Sequence, residues 1–144
     1  MIKVYLDDCC YNRPFDDQTQ LKIQLETLAK LKIQKDIRDG IYELAWSYVL
    51  DFENGLNPFE EKRQSIEPWR NIASRNVTET ADIIRLAEQL KEEGIKTYDS
   101  LHIACAVNAE CDYFLTTDKK LLNHRVEGIS IVDPISFISE QEVE

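Results

Sequence analysis

Ile2-Lys3-Val4-Tyr5-Leu6-Asp7-Asp8 is a short apolar run that ends in two carboxylates. That is the pattern of a buried strand turning polar where it leaves its sheet. Two later stretches resemble it: Tyr113-Phe114-Leu115-Thr116 leads to Asp118, and Ile129-Ser130-Ile131-Val132 leads to Asp133-Pro134. Ile41 to Trp46 is a fourth strand candidate. The segments between have helical spacing. Leu21, Leu25, Leu28 and Leu31 recur at helical intervals, with Asp16 or Asp17 as the expected cap and Lys35 to Gly40 as the end. Ser47 can cap a short helix through Glu53, stopped at Asn54-Gly55. Phe59 to Ala73 reads as an irregular helix broken near Pro68, while Cys9 to Phe15 reads as a loop. Thr78 to Leu90 is amphipathic and ends at Gly94, and Thr97 to Ala109 is a strongly apolar helix. Asp118 to Asn123 and Ile135 to Ile138 are helical turns. Strands separated by helices need right-handed crossovers, which predicts an α/β fold: three layers, α/β/α, around a mostly parallel central sheet. One domain over residues 1–144 is expected.

Composition narrows the function. Apolar residues make up 43% of the 144 and charged residues 31%, the balance of a globular chain. A net charge of −10 argues against a broad polyanion-binding face or attachment to anionic lipid. It leaves room for a nuclease, because clustered carboxylates depress the count and bound cations reverse the local field. Cys9, Cys10, Cys105 and Cys111 have no zinc-ligand spacing and no secretory segment before them, so reduced thiols in a cytoplasmic protein are expected. No apolar run approaches the roughly 20 residues that span a bilayer, and no membrane partner is expected.

In open parallel sheets ligands bind beyond the carboxyl ends of the strands. The residues that fall there are Asp7 and Asp8 after the first strand and Asp118 after the Tyr113–Thr116 strand. Glu53 follows one short helix after the second strand, and Asp99 sits in the first turn of the helix leading to Tyr113. The four glycines have neither Walker nor dinucleotide spacing, and no Ser or Cys sits in a nucleophile elbow. Carboxylate chemistry remains. Hard oxygen ligands suit Mg²⁺ or Mn²⁺, which can lower the pKa of a water and screen a phosphodiester. Singly, each acid is also explained as a loop residue, a helix cap or a solvated face.

Taken together, four stretches resemble the PIN domain family, which includes the toxin nucleases of toxin–antitoxin pairs. Ile2 to Asp7 resembles its first strand and acid. Ser47-Tyr48-Val49-Leu50-Asp51-Phe52-Glu53 is similar to its serine followed six residues later by glutamate. Tyr98-Asp99-Ser100-Leu101-His102-Ile103-Ala104 resembles its third motif, and Phe114-Leu115-Thr116-Thr117-Asp118 its fourth. The resemblance implies a divalent-metal-dependent endoribonuclease hydrolysing RNA with a Mg²⁺- or Mn²⁺-activated water. Asp7 and Asp99 would be direct metal ligands. Glu53 and Asp118 would complete the catalytic site, and Thr116 would orient the last acid. Partners implied are the RNA substrate and an antitoxin protein, with a homodimer as one assembly.

One departure stands out. The family's Asp-x-Asn is here Asp7-Asp8-Cys9, so the Asn's supporting role is vacant, or filled by Asp8 or Asn12. A thiol is a poor substitute there, and Cys9→Asn is expected to help metal binding slightly. Arg13 is a candidate phosphate contact, with a surface pair to Asp16 as the alternative reading. His102 shares the helical face of Asp99 and reads as packing rather than ligation, as do Trp46 and Trp69 rather than base stacking. Two other functions compete: a non-catalytic binding protein of the same fold, and a phosphoacceptor receiver module. The second lacks a mid-chain strand that ends in Asp.

Overall fold

A computed structural model describes residues 1–142. Its centre is β1 (Lys3–Leu6), where Val4, Tyr5 and Leu6 are fully buried because helices cover both faces of the sheet. Beside it run β2 (Glu43–Ser47) and β4 (Tyr113–Leu115), with Val4 opposite both Leu44 and Tyr113. β3 (Arg75–Val77) and β5 (Ser130–Val132) form the edges. The order is β3-β2-β1-β4-β5, and every pairing is parallel. From β1 the chain builds outward to β3, then returns across the sheet to β4. The switch point therefore lies between β1 and β4, at Asp7 and Thr116. A receiver module has the order 2-1-3-4-5 and its acceptor on a central strand, so this topology removes that reading.

β3 is absent from the sequence reading. Arg-Asn-Val is short and two of its three residues are exposed, so only pairing with β2 identifies it as a strand. The expected loop after β1 is instead helical, α1 (Asp8–Asn12) running into a 3-10 turn at Arg13–Phe15. The terminal turn is longer than expected, forming a helix over Pro134–Glu142.

The largest correction concerns α2 (Leu21–Arg38). Leu21, Leu25, Leu28 and Leu31, the expected core stripe, are 68, 45, 63 and 47% exposed. The face turned inward carries Ala29, Ile33 and Ile37 together with Glu26, Lys30, Gln34 and Asp36. Three polar members of that face have partners: Arg13 reaches Glu26 at 3.2 Å, Lys32 pairs with Asp36 at 2.8 Å, and Lys30 lies over the Tyr11 ring, while Gln34 Nε2 is buried without one. The expected cap is also displaced. α2 starts after Gln20, and Asp17 instead accepts from the amide and hydroxyl of Thr19.

The remaining helices follow the sequence more closely. Ser47 ends β2 and caps α3 (Tyr48–Leu56), accepting from the Leu50 amide; the helix runs one turn past Glu53, through Asn54-Gly55. α4 (Glu60–Ile66) and α5 (Trp69–Ile72) are separated at Pro68. α6 (Ala81–Glu92) ends where Gly94 takes φ +97°, and the Ile95 amide returns to the Leu90 carbonyl. That turn delivers the chain into α7 (Thr97–Asn108), which packs on α6. α8 (Lys119–Leu122) follows β4. Trp46 and Trp69 are buried, Trp46 donating to Asp51 and Trp69 lying under Arg38. The four cysteines form no disulfide.

Candidate active site

Asp7, the residue after β1, both caps α1 and faces the switch point. Its Oδ1 accepts from the Asp8 amide at 2.9 Å and its Oδ2 from the Thr116 hydroxyl at 2.9 Å. Thr116 Oγ1 in turn accepts from the Asp118 amide at 3.2 Å. One buried threonine thus orients the acids after β1 and β4, a link that needs the two strands to be neighbours. Asp118 also caps α8 through the Lys120 amide.

A cavity of about 340 Å³ opens at this edge, lined by Asp7, Asp8, Cys9, Asn12, Asp16, Glu53, Asp99 and Asp118. All four acids proposed from the sequence are there, brought from positions 7, 53, 99 and 118 to one pocket. Crowding shows in their chemistry. Burial, then the charges of Glu53 and Asp7, push the Asp8 carboxyl from its ordinary 3.8 up to about 6. Burial, then Asp7 and Asp118, push Asp99 up to about 6 as well.

The supporting contacts differ from the sequence expectation. Cys9 itself contacts Asp7: its Sγ donates to Asp7 Oδ2 at 3.4 Å, lies 3.4 Å from Thr116 Oγ1, and accepts from the Thr117 amide. Asn12 does not reach Asp7; it donates to the Asp8 carbonyl and accepts from Asn57. Asp8 contacts Asp7 only through its amide, and its own Oδ1 is buried with no hydrogen-bond partner. Arg13 pairs with Asp16 at 2.8 Å, the alternative reading, and also with Glu26 at 3.2 Å.

Sequence reasoning missed a buried hydrogen-bond chain behind Glu53. The Leu50 amide donates to Ser47 Oγ, Ser47 Oγ lies 2.6 Å from Tyr5 Oη, and Tyr5 Oη lies 2.6 Å from His102 Nδ1. His102 Nε2 is hydrogen-bonded to Glu53 and lies 4.0 Å from Asp7 Oδ1. The Glu53 carboxylate can only accept, so in the neutral ring Nε2 carries the proton and Nδ1 accepts from Tyr5. Tyr5, its one proton spent on Nδ1, then accepts from Ser47. The serine six residues before the glutamate therefore starts, on the same helix, a chain that ends on that glutamate. Burial opposes charging His102, but the Glu53 hydrogen bond and Asp7 outweigh it and lift the pKa above its ordinary 6.5. The signal available in the sequence was only the shared helical face of Asp99 and His102.

The donor set is made of carboxylate oxygens, the ligands hard divalent cations take. Two carboxyls raised by burial and neighbouring charge, and an orphaned buried oxygen on Asp8, are features a cation would relieve. Among the described residues, no three His, Cys, Asp or Glu side chains stand close enough to hold an ion as they lie. The site therefore fits Mg²⁺ or Mn²⁺ in donor chemistry, and binding would draw the carboxylates inward.

No family model matches the chain, and no curated protein does. Solved structures do. A chain of VapBC from Salmonella typhimurium, bound to DNA, is 15% identical with a TM-score of 0.58, covering 93% of this chain and 99% of that one. A chain of VapBC2 from Rickettsia felis, bound to a DNA fragment from their promoter, is 12% identical with a TM-score of 0.55, covering 90% and 97%. An all-parallel α/β/α domain with acids gathered at its switch point is the class these observations define. Within that class the chain has a PIN-domain fold.

Proposed function

We propose that this protein is a divalent-metal-dependent endoribonuclease, acting in the cytoplasm as the toxin of a toxin–antitoxin pair. The observation that carries the reading is the convergence of Asp7, Glu53, Asp99 and Asp118 on one pocket at the sheet's switch point. In this reading Asp7 and Asp99 hold Mg²⁺ or Mn²⁺, with Glu53 and Asp118 completing the site. The bound metal would supply an acidified water and neutralise charge on the scissile phosphodiester. Thr116 and Cys9 keep Asp7 turned into the pocket, while His102 keeps Glu53 at its edge. The antitoxin partner is supported by the VapBC assemblies that share the fold. The cytoplasmic setting is supported by four free thiols. Among the described residues, no helix is long and apolar enough to cross a membrane.

The test is Asp7→Asn. Its circular dichroism should match wild type, while Mn²⁺ binding by calorimetry and Mn²⁺-dependent cleavage of single-stranded RNA should both be lost. Wild-type-like cleavage by the folded variant would sink the assignment. A wild type that binds no Mn²⁺ would favour the non-catalytic binding protein. Co-expression with a neighbouring small DNA-binding protein should relieve growth arrest if the pair exists.

A further inference from the structure

A second cavity, about 330 Å³, adjoins the carboxylate pocket and shares Asp99 and Asp118 with it as a common wall. Its other polar lining is Lys96, Lys120, Asn123 and His124. Two lysines thus stand beside an acidic pocket in a chain of net charge −10. It is assembled from two places in the fold. Lys96 is set by the Gly94 turn that starts α7, and Lys120 and His124 lie on and just after α8. Neither lysine is in an ion pair among the described residues, unlike Arg13. Once a cation takes up the charge of Asp99 and Asp118, the field in this cavity belongs to the lysines.

An exposed aromatic pair joins α3 and α7. Phe52 and Tyr98 precede Glu53 and Asp99 in sequence, and their rings stack across α3 and α7 at 5.9 Å between centroids and 26° between planes. They remain 52% and 45% exposed. Exposed, preformed aromatic faces suit a flat unsaturated ligand, and unpaired nucleobases stack on such faces whatever their sequence.

We infer that these are the two holds on the RNA strand: the Lys96–Lys120–His124 cavity seats a backbone phosphate flanking the scissile one, and the Phe52–Tyr98 stack carries a base. The inference rests on the nuclease reading of the acidic pocket. Lysine binds phosphate as a point charge, so its contribution is lost with rising salt, whereas stacking is not.

Binding of a short fluorescein-labelled single-stranded RNA, followed by anisotropy in Ca²⁺ buffer across a salt series, separates the two holds. The double variant Lys96→Gln/Lys120→Gln should lower the slope of log affinity against log salt by about 0.7, the value for one phosphate contact in a single strand. Phe52→Leu and Tyr98→Leu should each weaken binding about tenfold with the slope unchanged, and Phe52→Tyr should bind as wild type. Mn²⁺ binding by calorimetry should be the same in every variant. An unchanged slope in the lysine variant overturns the phosphate seat. Phe52→Leu binding RNA as tightly as wild type overturns the platform and leaves the aromatic pair to a protein partner. A wild type that binds Mn²⁺ but no RNA defeats the nuclease reading itself, a result distinct from either.

Discussion

Replacing Asp99 by Asn should stabilise the metal-free protein at neutral pH and leave it nearly unchanged in acid. Burial first, and the charges of Asp7 and Asp118 next, lift the Asp99 carboxyl from 3.8 to about 6. At about 1.4 kcal/mol per pH unit, that difference opposes folding by at most about 3 kcal/mol once the group is ionised. Because the carboxyl faces an open pocket, solvent screening brings the figure to about 2 kcal/mol. Its place in the first turn of α7 works the other way. There an anion is favoured by about 0.3–1 kcal/mol, so a net gain of about 1 kcal/mol is expected. The sign follows from proton binding. Between pH 3.8 and about 6 the folded state holds a proton that the unfolded chain has released, so the wild-type contribution falls as pH rises and is constant above. Below that window both carboxyls are neutral and the variant has little to relieve. Guanidinium unfolding of both proteins in EDTA, near pH 4 and near pH 8, should show almost no difference at the first. At the second the gain should be about 1 kcal/mol, or about 3 °C in Tm. Saturating Mn²⁺ should reverse the order at pH 8 by stabilising wild type more. An equal gain at both pH values, or a loss at pH 8, would refute the crowding argument.

Three further outcomes follow from the same geometry. Thr116→Val removes the hydroxyl that holds Asp7 Oδ2 and accepts from the Asp118 amide; metal affinity or cleavage should fall by about 10- to 100-fold with the fold retained. Tyr5→Phe keeps the stack on Phe114 but leaves His102 Nδ1 without its donor, so chemical unfolding should show a loss of about 1–3 kcal/mol. Imidazole ¹⁵N shifts in alkaline solution should report Nε2–H in wild type and a mixture of tautomers in that variant; Nδ1–H in wild type would contradict the direction assigned to the chain. On α2, Leu28→Gln should change stability by no more than about 0.5 kcal/mol, whereas Ile33→Ala should cost about 2–5 kcal/mol. Similar losses at the two positions would mean that α2 is turned the other way.

What the sequence determined by itself was the local part of the protein. Apolar runs closed by acids marked β1, β4 and β5, alternation with helices made the sheet parallel, and acids just past strand ends or in the adjoining helices were the ones to gather at its edge. Those are properties of neighbouring residues, so a one-dimensional reading recovers them. Tertiary structure decided whatever depended on a partner far along the chain. α2 carries a leucine stripe and a mixed stripe at the same helical period. Periodicity cannot choose between them; Arg13 and Tyr11, which receive the charged side chains of the mixed stripe, do. Likewise His102 reads as a packing residue until Tyr5, 97 positions away, and Glu53, 49 away, close on its two nitrogens. Cys9 by itself is a weak hydrogen-bond partner for a carboxylate. Beside Thr116 and Thr117, brought in by the pairing of β1 with β4, it is one of the groups that orient Asp7. The acids are written in the sequence, but their orientation comes from contacts made only when distant strands and helices pack, because a hydrogen bond depends on distance and angle rather than on residue order.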